Sequence, residues 1–181
     1  MKKSRKFLLV VLASLSITFA KAQVEFDHSL GITALFSQNN GGWGFTYDPR
    51  LNFAKLGDNG VLSAGTHLTL GISLSSQNPD GNSLVFDLPL MLEYNSGFGS
   101  TKDNDASFGW FGGIGYDVSS VQADDNGTNH SSGVIFNVGV RFGAKVPLSI
   151  RASYLLSSAS NDPSASNVIG VGISYMFGMR K

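Results

Sequence analysis

The sequence predicts an all-β protein, an eight-stranded antiparallel up-and-down transmembrane β-barrel, and three observations carry that expectation. Eight segments of roughly 9 to 14 residues alternate in character with period two, the signature of strands. One face of every segment is bulky and apolar and carries no Asp, Glu, Lys or Arg. No run after residue 22 is long and apolar enough for a membrane helix, so a chain that crosses a membrane must cross it with strands.

The elements follow in order. The basic stretch MKKSRK, the apolar stretch FLLVVLASLSITFA and the small-x-small site Ala20-Lys21-Ala22 fit a secretory signal peptide over 1–22, with 23–181 left as one barrel domain. The sequence has no cysteine, which excludes disulfides and a lipid-modified N-terminal Cys. Lys2, Lys3, Arg5, Lys6 and Lys21 would leave with the signal, so eight basic residues face thirteen acidic ones, a net charge of −5. That balance offers no basic stripe and gives no support to nucleic acid as a partner, so none is expected.

The expected strands run over 24–37, 44–54, 61–74, 83–94, 106–118, 134–143, 148–156 and 167–177. Their connections, such as KLGDNG, SSQNPDGN and QADDNGTNHSSG, are rich in Gly, Asn, Asp and Ser, which is turn chemistry. In the last strand Ile169, Val171, Ile173, Tyr175 and Phe177 form the bulky face, and Gly170, Gly172 and Ser174 the small one. The first strand alternates Phe26, His28, Leu30, Ile32 and Phe36 against Glu25, Asp27 and Ser29 in the same way. His28 is the one titratable group other than tyrosine on the apolar face.

A soluble eight-stranded barrel would turn its apolar face inward, but these rings and aliphatics are too large for so narrow an interior. With the bulk facing lipid and Gly and Ser facing in, the sizes fit. Charges facing lipid would cost a few kcal/mol each near the midplane, which explains why the strand charges share the other face. With the termini in the periplasm, Phe26, Phe53, Tyr94, Phe108, Phe142 and Phe177 gather at one rim, and Phe36, Phe45, Phe86, Tyr116, Phe136 and Tyr154 lie toward the other. Such paired girdles belong at two membrane interfaces. Pro49 removes a ladder donor, so a bulge or a missing hydrogen bond is expected there.

The inner face supplies the candidate site. Glu25, Asp27, Arg50, Glu93, Arg141 and Arg151 fall in its periplasmic third, three carboxylates with three guanidiniums. Mutual pairing is the form in which charges are tolerated in a narrow, partly desolvated interior, so they are expected to plug the lumen. For Arg151 the candidate partners are Glu25, Asp27 and Glu93, the first two favoured because one strand separates the seventh from the first. Asp48, His67 and Asp87 are expected to form a polar network at mid-lumen.

No other chemistry competes strongly. His130 stands beside Ser131 and Ser132 in a loop, but no nucleophile, base and orienting acid share a recognisable spacing. Asp124-Asp125-Asn126 lacks the ligand set of a calcium loop, and Asn126-Gly127-Thr128 fits a glycosylation sequon only formally. No cofactor or metal site is expected. Loops holding Asp80, Asp124, Asp125 and Asp162 carry no Lys or Arg, whereas Lys55, Lys102 and Lys145 fall in the opposite turns.

The signal peptide, the eight alternating strands and the aromatic last strand GVGISYMF together resemble the small eight-stranded outer-membrane barrels, the OmpA/OmpX-like superfamily with its outer membrane protein beta-barrel domain. The resemblance covers 23–181. It implies a bacterial outer-membrane location with periplasmic termini. Outer-membrane lipids and lipopolysaccharide are the implied surroundings, and the barrel-assembly machinery, which reads the last strand, the implied partner during insertion. This chain departs from that signal by continuing GMRK beyond Phe177. The expected role is structural or interactive and non-enzymatic, with loops displayed outside toward an unidentified partner; a narrow porin-like channel and a lipid-modifying enzyme are the alternatives.

Overall fold

A computed structural model of the chain describes residues 24–37, 40–75, 82–123, 127–143, 145–157 and 167–179. The expected signal peptide, Asp80, Asp124, Asp125, Asn126 and Asp162 lie outside the described residues, as does the side chain of His130. The strands are β1 (Glu25–Phe36), β2 (Asn40–Leu56), β3 (Gly60–Thr66), β4 (Leu68–Ser75), β5 (Asn82–Gly97), β6 (Phe108–Ala123), β7 (Gly127–Gly143), β8 (Pro147–Ser157) and β9 (Val168–Met176). Each pairs antiparallel with its neighbours, and β9 pairs with β1 from Ser29↔Met176 to Phe36↔Ile169, which closes the barrel. Closure leaves no strand edge, the condition for a sheet in lipid.

The nine strands make eight staves, because β3 and β4 are one stave broken at His67. Against β2 the pairing stops at Arg50↔Gly65 and resumes at Tyr47↔Leu68; against β5 it stops at Thr66↔Leu90 and resumes at Thr69↔Asp87. Pro49 lies in the first gap and Pro89 in the second, and neither has an N–H to give. The ladder therefore lapses on both sides of His67. The bulge lies elsewhere on β2, where the register shifts between Asn52 and Ala54.

The expected strands differ most at the fifth and sixth, observed as β6 and β7, which run on as a hairpin arm to Ala123 and from Gly127. That arm takes in much of the segment expected as a loop, His130 and Ser132 included. β1 begins and β9 finishes at the same end, here the terminal end; the other is the loop end. At the terminal end the segment between β5 and β6, residues 98–107, is tied by Phe98 N to Phe108 O and Ser100 N to Gly97 O, each 3.0 Å. Gly97 and Gly99 take φ of 73° and 72° there, the left-handed region where glycine is preferred.

Side chains alternate out and in as the pleat demands. Leu90, Val138 and Phe45, among many large apolar residues facing out, are more than 60% exposed on the isolated chain. Aromatic pairs ring both ends outside: Phe108 with Phe142, Tyr94 with Trp110 and Tyr175 with Phe177 toward the termini, Trp43 with Phe45 toward the loops. Inside, glycines make room for large neighbours. A Cβ on Gly139 would meet the Phe111 ring at 2.3 Å, and one on Gly115 would meet Met91 Sδ at 2.6 Å.

Candidate functional site

The inward face of the terminal half holds two linked polar clusters. In the first, alternation on β1 and β2 turns Asp27, Arg50 and Asn52 inward, all nearly inaccessible. Arg50 Nη2 donates to Asp27 Oδ2 at 2.8 Å, and Asn52 Nδ2 donates to the same oxygen at 2.7 Å. Arg50 Nη1 and Arg141 Nη1 both donate to Asn95 Oδ1, at 2.8 and 2.6 Å. The Arg141 guanidinium lies 4.1 Å from the centre of the Phe111 ring, a cation–π contact. Among the described residues no carboxylate pairs with Arg141 directly.

The 98–107 segment enters this cluster from below. The Gly99 carbonyl accepts from Arg50 Nη2 at 2.5 Å and from Arg141 Nη1 at 3.4 Å, and the Ser100 carbonyl accepts from Asn52 Nδ2 at 3.0 Å. Phe98, Met176 and Met179 bury together beside it. The segment thus crosses the terminal mouth and is held by the lumenal guanidiniums.

The second cluster centres on His67, in the gap between the two prolines. Its Nδ1 lies 2.9 Å from Asp48 Oδ1 and its Nε2 3.0 Å from Glu93 Oε1. Arg151 Nη1 donates to Asp48 Oδ1 at 3.0 Å, while Ser29 and Ser174 donate to Oδ2 at 3.0 and 2.8 Å. Asn137 Nδ2 donates to Glu93 Oε1. Above them Arg151 Nη2 reaches Thr33 Oγ1 at 3.2 Å, which contacts Thr46 Oγ1 at 2.6 Å, which contacts Thr69 Oγ1 at 2.9 Å. Charge-assisted bonds of this density compensate much of the desolvation that burial imposes. The space left among these residues is about 30 Å³, room for about one or two waters.

Of the residues singled out from sequence, Asp27, Arg50, Glu93, Arg141, Arg151, Asp48 and His67 come together in the lumen. Two do not join them. Glu25 sits at the rim and accepts from the Lys102 backbone N–H at 2.7 Å, because the first residue of β1 lies below the mouth. Asp87 sits nearer the loop end, paired across the ladder with Ser119 of β6 and lining a cavity there, instead of joining His67. Arg151 bonds to Asp48, which was not among its candidate partners. The stagger explains the difference: Gly172 of β9 pairs with Arg151 on one side and Thr33 on the other, so Arg151 stands level with the middle of β1, far past Glu25 and Asp27.

Sequence reasoning missed the amides Asn52, Asn95 and Asn137, whose signal was their inward phase alongside the charges. It also missed a buried apolar group beyond the threonines, Met91, Ile135 and Leu155. His28 lies outside, against Tyr47, Phe26 and Phe177 at the terminal end. Among the described residues no three His, Cys, Asp or Glu side chains are placed to hold a metal ion.

The comparisons with known proteins agree on the architecture. A family model described as outer membrane protein beta-barrel domain matches residues 7–177. No curated protein matches the chain. Among solved structures, Ail, the attachment invasion locus protein of Yersinia pestis, superposes with a TM-score of 0.54 at 11% identity, over 84% of this chain and 97% of that one. A second Ail structure, in complex with the heparin analogue sucrose octasulfate, gives the same TM-score and identity over 85% and 99%. Neisserial surface protein A superposes with a TM-score of 0.53 at 12% identity, over 84% and 97%.

Proposed function

The chain belongs to the outer membrane protein beta-barrel domain family of the bacterial outer membrane, and on that premise we propose that it is a non-enzymatic structural or interaction barrel whose lumen is closed to solutes. One observation carries the reading: the buried network of Asp27, Arg50, Asp48, His67, Glu93, Arg141 and Arg151, with the 98–107 segment drawn into it, leaves only about 30 Å³ unfilled. A narrow eight-stranded bore filled by paired charges has no room for a hydrated ion to pass. The termini face the periplasm in this reading, supported by Lys55, Lys102 and Lys145 at their end and by loops without Lys or Arg at the other.

Membrane lipid is then the partner of the outward apolar face, and the barrel-assembly machinery reads the GVGISYMF strand during insertion. Acidic loops approach lipopolysaccharide through bridging divalent cations. One of the Ail structures holds a polyanion, but Asp80, Asp124, Asp125 and Asp162 give the loops of this chain the opposite preference. Conductance in planar bilayers tests closure. The unmutated protein is expected to show no steady openings, and Arg141→Ala and Arg151→Ala to show intermittent ones as the network loosens. Steady ion-sized openings in the unmutated protein would replace this reading with the channel.

A further inference from the structure

On the outward face the terminal half carries a groove of about 600 Å³, lined by residues that include Phe26, Leu51, Ala64, Leu90, Leu92 and Ile114. That size is within the range of about 300–1,000 Å³ that ligand clefts occupy. The hollow arises where Ala64 stands between Leu51 on one side and Leu92 on the other, a methyl group between two ridges of larger side chains. It follows one rung of the barrel. Phe26, Leu51, Ala64, Leu92 and Ile114 pair in succession, and the same rung passes through Phe136, Tyr154 and Ile169 to return to β1 at Phe36, ten residues nearer the loops. A rung with that stagger climbs, so the groove leaves the terminal aromatic ring at Phe26 and rises toward mid-membrane.

His28 stands beside the low end of the groove. Its ring lies 5.7 Å from that of Phe26 and 5.0 Å from that of Phe177, within the aromatic belt that marks a membrane interface. Its Nδ1 lies 3.5 Å from the Tyr47 hydroxyl. With that hydroxyl donating to Nδ1, Nε2 carries the ring hydrogen, and among the described residues no acceptor is placed for it. A donor at the edge of the hydrocarbon needs an acceptor. The acceptors a bilayer offers at headgroup level are the phosphate and ester oxygens of its lipids, and of these the charged phosphate makes the stronger bond. We propose that this groove is a resident phospholipid site in the terminal-side leaflet, one acyl chain lying along Ala64 between Leu51 and Leu92 while the phosphate accepts from His28. The site depends on the outward face meeting lipid and not on closure of the lumen.

The test is titration of the folded protein in dodecyl maltoside micelles with dimyristoylphosphatidylglycerol, followed by imidazole and backbone amide shifts, with dimyristoylglycerol and inorganic phosphate in parallel. Saturable shifts at His28 and along the rung from Phe26 to Ile114 are expected with the phospholipid, weaker binding with the phosphate-free diacylglycerol, and no saturation with phosphate alone. His28→Phe keeps a ring and should weaken phospholipid binding about tenfold, the worth of one hydrogen bond to a charged group, while leaving diacylglycerol binding unchanged. Ala64→Phe fills the groove without removing the imidazole and should weaken both lipids. Both changes lie on the outward face, which leaves the lumenal network in place. No saturable response to the phospholipid, equal affinity for the diacylglycerol, undiminished phospholipid binding in either variant, or saturation of the same signals by phosphate alone would each overturn it.

Discussion

The terminal half of the lumen and the loop half are built from the same strands and solve opposite problems. Near the termini, guanidiniums, carboxylates, His67 and three asparagines interlock and leave about 30 Å³. Toward the loops, Met91, Ile135 and Leu155 pack against one side while Asp87 faces a cavity of about 70 Å³. The first half is a polar core in which nearly every charge has a partner. The second resembles an ordinary apolar core with an opening beside it. A barrel can thus concentrate rigidity in one half of its length and keep room in the other.

Four substitutions measure that contrast through urea unfolding in detergent. Arg50→Leu removes the donor to Asp27, Asn95 and the Gly99 carbonyl and strands a buried carboxylate, so a loss of about 3–5 kcal/mol is expected. Joining it to Asp27→Leu removes the orphaned charge and should restore part of the loss, a non-additivity that a thermodynamic cycle reads directly. A parent-like Arg50→Leu would mean that the terminal half is hydrated and the contrast false. Leu155→Ala, in the loop half, should cost about 2–3 kcal/mol, the low end of such truncations because open space lies nearby. Smallest is Thr46→Val, which cuts the hydroxyl chain between the halves at a fully buried position and should cost about 1 kcal/mol.

The outward face and the closed antiparallel order were legible because period two is enforced on every residue: Ile169, Val171 and Ile173 must all face one way whatever the stagger. The lumen was less so. Its inward phase correctly gathered Asp27, Arg50, Asp48 and His67, but height along the axis depends on the shear accumulated around the barrel, which no single strand encodes. Hence Arg151 was matched to the wrong carboxylates and Asp87 to the wrong layer. Inward Phe111 and Met91 escaped notice for a different reason. They look too large for the bore until Gly139 and Gly115 are seen to lie beside them, a cross-strand complementarity invisible to a reading taken one strand at a time.

The two tryptophans have a use that their packing alone does not suggest. Trp43 and Trp110 are the chain's only indoles, both about half exposed, and they stand in opposite aromatic rings. Each therefore emits from a different depth of the bilayer, and each can be removed singly as Trp→Phe without touching the lumen. Quenchers carried by the lipids of one leaflet would dim one emitter and spare the other, so the protein reports its own orientation with no label attached.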